Sequence, residues 1–112
     1  MDELVFIHIV STTPGTFVFD EPNLRAVNAE AHAIVDIMPH GSGKGRYFSV
    51  DFLHSFGAPN GVNMAHLDCR CLDVFKSEAE ACIFVRSFVA RFNAFDSIKG
   101  ARTVRKYRKF HA

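Results

Sequence analysis

Seven polar residues with the chemistry of acids, bases and anion binders alternate along two neighbouring segments of the chain. They are Tyr47, Ser49, Asp51, Ser55, His66, Asp68 and Arg70. A strand turns alternate side chains to the same side of a sheet, so pairing of the two segments would gather these groups on one surface. Carboxylates, an imidazole and a guanidinium on one rigid surface suit acid–base chemistry or ligand binding.

Three interpretations of this surface stay open. In the simplest, it is a solvated face on which Asp51 and Arg70 form an ion pair. An enzyme would use Asp51, His66 and Asp68 for acid–base catalysis and would need a pocket that excludes water. A binding face can remain open, and we favour it. Its predicted ligand-binding residues are His8, Tyr47, Asp51, His66, Asp68 and Arg70.

The three cysteines, Cys69, Cys71 and Cys82, are too few for a disulfide framework and suit a reducing cytoplasm. Alternation places the sulfurs of Cys69 and Cys71 opposite His66 and Asp68, whereas the ligands of a zinc ion converge on one point. We therefore expect all three cysteines to pack in the core, with no metal and no cofactor.

The segment from His40 to Arg46 combines three glycines with two basic residues. It departs from a nucleotide phosphate loop, since Met38 stands where the first glycine of that motif belongs. Two interpretations remain: a linker, or weak anion binding by exposed N–H groups together with Lys44 and Arg46.

Charge is divided unevenly along the chain. Residues 1–96 carry seven Lys or Arg and twelve Asp or Glu, a net −5, whereas residues 97–112 carry six basic residues and no acid, a net +6. The basic C-terminal segment 97–112 predicts nucleic-acid binding as one alternative function, with Tyr107 and Phe110 available for stacking. The acidic remainder of the chain disfavours a long polyanion.

Two patterns predict the first half of the fold. Leu4 to Val10 is apolar except for His8, which favours a central strand with both faces buried. Pro22 and a stripe of apolar residues favour a helix from 22 to 38. The alternative interpretation ends that helix near Ala29 and makes Ala33–Met38 a strand.

Residues 46–56 and 62–75 predict a hairpin, because both segments alternate and Asn60-Gly61 lies between them. A two-residue turn there would place Phe52 with Cys69 on the apolar face. Ser77 and Glu80 form a capping box that opens a helix. Its inner stripe is Ala81, Phe84, Val85, Phe88, Phe92 and Phe95. Residues 101–110 are left as an edge strand or a short basic helix.

This order of elements predicts one α+β domain over residues 1–112, a ferredoxin-like βαββαβ sandwich with an antiparallel sheet and two helices on one face. The uncovered face would then carry Phe6, Leu53 and Leu72, which we expect to form the interface of a homo-oligomer, a dimer. No segment has the length of a membrane span or the pattern of a secretory signal, so we expect a cytoplasmic protein.

Overall fold

The computed structural model describes residues 1–55 and 67–95, which form five strands between two helices. The elements are helix α1 (Glu3–Thr12), strands β1 (Val18–Asp20), β2 (Arg25–Asn28), β3 (Ala33–His40), β4 (Tyr47–Ser55) and β5 (Leu67–Phe75), and helix α2 (Glu78–Asn93). The strands form one antiparallel sheet in the order β1-β2-β3-β4-β5. The predicted α+β class is confirmed. The ferredoxin-like order is wrong, because a helix precedes all the strands and no described helix crosses between them.

Helix α1 occupies the apolar run that predicts a strand. The Asp2 carboxylate caps it by accepting a hydrogen bond from the Leu4 N–H at 2.8 Å. Phe6 and Ile9, three residues apart, are buried, whereas Leu4 is exposed. A run with a single polar residue has no clear periodicity to separate helix from strand, so the capping acid and the packing of Phe6 decide for a helix.

The predicted helix from 22 to 38 is also wrong. A short 3-10 turn over Glu21–Asn23 is followed by Leu24 in the left-handed conformation, with φ of 53°, which stops helix growth. Strands β2 and β3 follow as a hairpin. Of the alternative interpretation, the strand at Ala33–Met38 is confirmed and continues to His40, whereas the helix ending near Ala29 is wrong, because β2 occupies Arg25–Asn28. Four β-branched residues of this segment favour strands: Val27, Ile34, Val35 and Ile37.

Strands β4 and β5 confirm the two predicted arms, but their register is displaced by one residue. Leu53, instead of Phe52, pairs with Cys69. Further along, Asp51 pairs with Cys71 and Val50 with Asp73, so Leu72 is the extra residue of a β-bulge. The predicted turn at Asn60-Gly61 lies outside the described residues.

The displaced register overturns the prediction for two of the cysteines. Cys69 and Cys71 pair with Leu53 and Asp51 on the side of the sheet away from the core, and both are exposed. A one-residue slip in register turns successive side chains to the opposite face of the sheet. The predictions for Cys69 and Cys71 therefore fail together. Cys82, on helix α2, is buried as expected.

Helix α2 forms where the capping box predicts it. The Ser77 hydroxyl accepts a hydrogen bond from the Glu80 N–H at 3.2 Å. Of the predicted inner stripe, Ala81, Val85, Phe88 and Phe92 are buried, and Phe84 and Phe95 pack partly buried against the core. Neither described helix is long and apolar enough to cross a membrane.

Phenylalanine rings join the two helices to the sheet. Phe17 contacts Phe52, Phe88 and Phe92 with ring centroids 6.4, 5.6 and 4.9 Å apart. The Asn93 side chain holds the backbone of Phe17, accepting from its N–H at 2.9 Å and donating to its carbonyl at 2.8 Å. The entry into β1 is thereby fixed to the end of α2.

A buried amide ties the segment before β1 to the β2–β3 turn. Asn28, 1% exposed, donates to the Pro14 carbonyl at 2.8 Å and accepts from the Ala31 N–H at 3.1 Å. Gly15 has φ of 84°, and a Cβ there would lie 2.7 Å from Asn28 Oδ1. Glycine at position 15 is therefore required for this close approach.

Candidate binding face of the sheet

Helix α2 packs on one face of the sheet, and α1 joins it there through the ring contacts of Phe6 with Phe88 and Phe95. No described helix covers the other face, which we call the outer face. Burial alternates along the central strand β3. Ala33, Val35 and Ile37 are buried on the helix side, whereas Ile34 and Asp36 lie half-buried on the outer face. The strand register carries this alternation across the sheet, so outer-face residues stand in rows perpendicular to the strands.

One of these rows is apolar. The apolar row consists of Val18, Val27, Ile34 and Leu53, each the cross-strand partner of the next. Leu53 pairs in turn with Cys69 on the edge strand β5. Val18 is 69% exposed, and the other three are half-buried. A continuous apolar strip in contact with water is typical of a surface that another molecule covers.

The adjoining row carries a pair of neighbouring carboxylates. Asp36 and Asp51 are direct cross-strand partners, with Arg25 beyond Asp36 and Cys71 beyond Asp51. Burial raises the pKa of Asp36, and the charge of Asp51 raises it further, while Arg25 acts in the opposite direction. Two like charges held opposite each other destabilise a sheet, so this acidic pair favours a cationic group over an anion.

A hydrogen-bonded chain holds Asp51 in place. Ser49, which is buried, donates its hydroxyl proton to Asp51 Oδ2 at 3.0 Å and lies 2.7 Å from His40 Nε2. Because the single Ser49 proton goes to the carboxylate, His40 Nε2 acts as the donor to Ser49 Oγ. The His40 ring stacks on Tyr47, with ring centroids 4.9 Å apart.

These hydrogen bonds between His40, Ser49 and Asp51 position a carboxylate and do not activate a nucleophile. A nucleophilic serine gives its proton to a histidine, whereas Ser49 accepts from His40. Burial raises the pKa of the Cys71 thiol, and Asp51 raises it further, so little reactive thiolate forms there at neutral pH. Within residues 1–55 and 67–95, no group of three or more His, Cys, Asp or Glu residues is arranged to hold a metal ion.

Two of the six predicted ligand-binding residues, Tyr47 and Asp51, lie together on the outer face of β4. His8 is on the exposed side of α1, because its segment is a helix. Arg70 pairs with Phe52, on the helix side of the sheet, because of the displaced register.

For the remaining two of the six predicted residues, His66 and Asp68, the structure describes only the backbone of Asp68. His66 lies outside the described residues. The backbone of Asp68 pairs with that of His54, so Asp68 and Asp51 are not cross-strand neighbours.

The three predicted interface residues also separate. Phe6 is 1% exposed in the core, because α1 packs its ring against Phe88 and Phe95. Leu72, the bulge residue, is buried as well. Leu53 alone of the three lies on the outer face, in the apolar row.

Sequence reasoning missed Asp36 and His40, because both belong to a segment assigned to a helix and a loop. The signal that identifies them is alternation: Ala33, Val35 and Ile37 are apolar at every second position, and Asp36 stands between two of them. Assigning that segment to a strand brings Asp36 beside Asp51.

We expect Asp36→Asn to stabilise the protein at pH 7 by about 0.5 kcal/mol, because it removes the repulsion from Asp51. The raised pKa means that the folded protein binds more protons than the unfolded chain, so the wild type loses stability as pH rises through that pKa. The advantage of the variant should therefore shrink as pH falls towards 3.8, the ordinary value. Urea unfolding across this range measures it.

Asp20→Asn is the matched control for this experiment. Asp20 lies in the same row with Arg25 as its cross-strand partner and is separated by Arg25 from the acidic pair. The control should give no stabilisation at pH 7. An Asp36→Asn protein no more stable than the wild type would show that attraction to Arg25 outweighs repulsion from Asp51.

Comparison with known proteins identifies no relative. No family model matches the chain, and no curated protein and no solved structure is significantly similar to it.

Proposed function

We propose that this chain is a non-catalytic binding protein that pairs with a second copy of itself through the outer face of its sheet. The apolar row of Val18, Val27, Ile34 and Leu53 carries the proposal, because it crosses four strands with no described helix above it. Leaving apolar surface in water costs about 25 cal/mol per Å², and a facing apolar surface removes that cost.

Two features of the outer face, its apolar row and its acidic pair, favour one symmetry. A two-fold axis running along the apolar row, perpendicular to the strands, sets each of its residues against the same residue of the second copy. The acidic pairs of Asp36 and Asp51 then lie on opposite sides of the axis. A strand-parallel axis between β3 and β4 would instead stack the two acidic pairs on each other, which Coulomb repulsion disfavours.

The available area is sufficient for a small interface. Five strands about 4.8 Å apart and three outer-face rows roughly 7 Å apart cover roughly 500 Å² per copy. Two copies then bury about 1,000 Å², the lower range for a specific interface. Asp36 and Asp51 would lie at the rim of this contact. A small ligand with a positively charged group suits the two carboxylates there.

Leu53→Lys tests this pairing, because it places a charge in the apolar row. We expect the wild type to be a dimer in light scattering at micromolar concentration and the variant to be a folded monomer, since an unpaired buried charge separates the copies. Val74→Lys is the control. Val74 is exposed on the outer face of β5 but lies two rows from the apolar row, outside the proposed contact. A monomeric wild type, or a dimeric Leu53→Lys protein, would refute the proposal.

Cys69 provides an independent test of the axis. It stands at the end of the apolar row beside Leu53, so the proposed axis brings it against Cys69 of the second copy. A short bismaleimide should cross-link the wild type and Cys71→Ser proteins, whereas Cys69→Ser should remain uncross-linked. Equal cross-linking of both variants would place the contact elsewhere.

A further inference from the structure

Glycines shape the turn between β3 and β4. Gly41 and Gly43 have positive φ of 71° and 56°, and a Cβ on Gly41 would lie 2.7 Å from the Gly45 carbonyl oxygen. The Gly45 N–H donates to the Ser42 carbonyl at 3.1 Å, and the Arg46 N–H donates to the Gly43 carbonyl at 3.3 Å. These bonds close a 3-10 turn over Gly43–Gly45 and give Lys44 and Arg46 defined backbone positions.

An open cavity of about 530 Å³ lies beside this turn. Three of the residues that line it are cationic, Lys44, Arg46 and Lys76, and none is acidic. Lys76 reaches the cavity because Phe75 pairs with Phe48, which sets the end of β5 beside the start of β4. Three positive charges from two distant parts of the sequence therefore meet at one place.

These cations differ from two other basic residues of the described chain, Arg86 and Arg91. Arg86 and Arg91 are each paired with a glutamate, Glu21 and Glu3 respectively. Within the described ranges, no carboxylate lies at salt-bridge distance from the three cavity cations. The guanidinium of Arg46 lies 5.3 Å above the Phe48 ring, which supports it while its N–H groups stay free of a carboxylate.

We propose that this cavity binds the phosphate groups of a nucleotide. Arginine can donate two hydrogen bonds to one phosphate group, and lysine contributes a compact positive charge. Arg46, Lys44 and Lys76 together therefore match a multiply charged phosphate. The cavity is larger than a phosphate requires. Tyr47 lines it and stacks on His40, which supplies an aromatic surface next to the cations where a base can stack.

The site is separate from the proposed dimer contact and has the opposite charge. The outer-face pair of Asp36 and Asp51 favours a cation, whereas the cavity favours an anion. The same phosphate chemistry occurs in a free nucleotide and in a nucleic-acid strand, and the experiment separates these two sources.

Calorimetry at low salt with pyrophosphate, ADP and a short single-stranded oligonucleotide tests the proposal. We expect wild-type binding that weakens with added salt and falls about tenfold or more in Arg46→Gln and in Lys76→Gln, because each variant loses charge-assisted hydrogen bonds. Arg46→Lys should recover part of the affinity, since it keeps the charge and loses the paired hydrogen bonds. Tighter binding of ADP than of the oligonucleotide identifies a free nucleotide, and the reverse order identifies a strand.

Arg25→Gln is the matched control, because it removes the same charge from the outer face, away from the cavity. Binding by this variant should equal that of the wild type. The proposal is overturned if the wild type binds none of the three probes, or if Arg25→Gln weakens binding as much as Arg46→Gln. It is also overturned if deletion of residues 97–112 abolishes binding while Arg46→Gln leaves it intact.

Discussion

Replacing Phe88 with alanine is expected to lower the free energy of unfolding by about 3–5 kcal/mol, the largest effect of any truncation proposed for this protein. Phe88 is 3% exposed, and its ring lies 5.9 Å from that of Phe6, 5.6 Å from that of Phe17 and 6.0 Å from that of Phe92. It therefore joins both helices to the entry into β1. Alanine would lose this burial and leave a cavity that three rings from separate elements cannot close.

Ile83→Ala is the control on the same helix. Ile83 is 63% exposed, so its truncation should change stability by no more than about 0.5 kcal/mol. Urea unfolding followed by circular dichroism measures both variants, at one protein concentration because dimerisation would add to the apparent stability. A loss below about 1 kcal/mol for Phe88→Ala would contradict this packing.

Elements with strong local signals were predictable from the sequence. Helix α2 begins at a capping box and repeats its apolar residues every three or four positions, and both signals are independent of the rest of the fold. The segments of β4 and β5 alternate, which also needs no partner to be recognised. These patterns are local, so sequence reasoning located them.

Elements without a distinctive period were not predictable. The run in α1 is apolar except for His8, so periodicity fits helix and strand alike. The segment 22–38 carries a proline suited to a first helical turn. The spacing of its apolar residues fits the period of a helix and that of a strand equally well. Contacts between distant parts of the chain decided both cases: Phe6 packs on α2, and Ala33–His40 lies in the centre of the sheet.

The candidate site also contains some residues whose positions were predictable from the sequence and others whose positions were not. Tyr47 and Asp51 share a face because alternation within one strand places them there, whatever the partner strand does. The expected positions of Arg70 and of Cys69 and Cys71 depended on register, which a single-residue displacement reversed for the residues that precede the bulge at Leu72. Asp36 could be placed beside Asp51 only once β3 was recognised as a strand.

Asn28→Asp is expected to cost about 3 kcal/mol at pH 7, although it changes one group of the side chain. The amide nitrogen donates to the Pro14 carbonyl at 2.8 Å, whereas a carboxylate oxygen in its place would face that carbonyl with no proton between them. The site is 1% exposed, so the new charge would lack both water and a cation.

The cost of Asn28→Asp should depend on pH in a defined direction. Burial without a cation raises the pKa of the new carboxyl, and a protonated carboxyl can again donate to Pro14. Stability should therefore recover as pH falls towards the ordinary carboxyl pKa of about 3.9 and be lost as pH rises through the raised value. Asn28→Ala removes the bonds to Pro14 and Ala31 without adding a titrating group, so its loss should not vary with pH relative to the wild type. Parallel pH profiles for the two variants would mean that the side chain at position 28 reaches water.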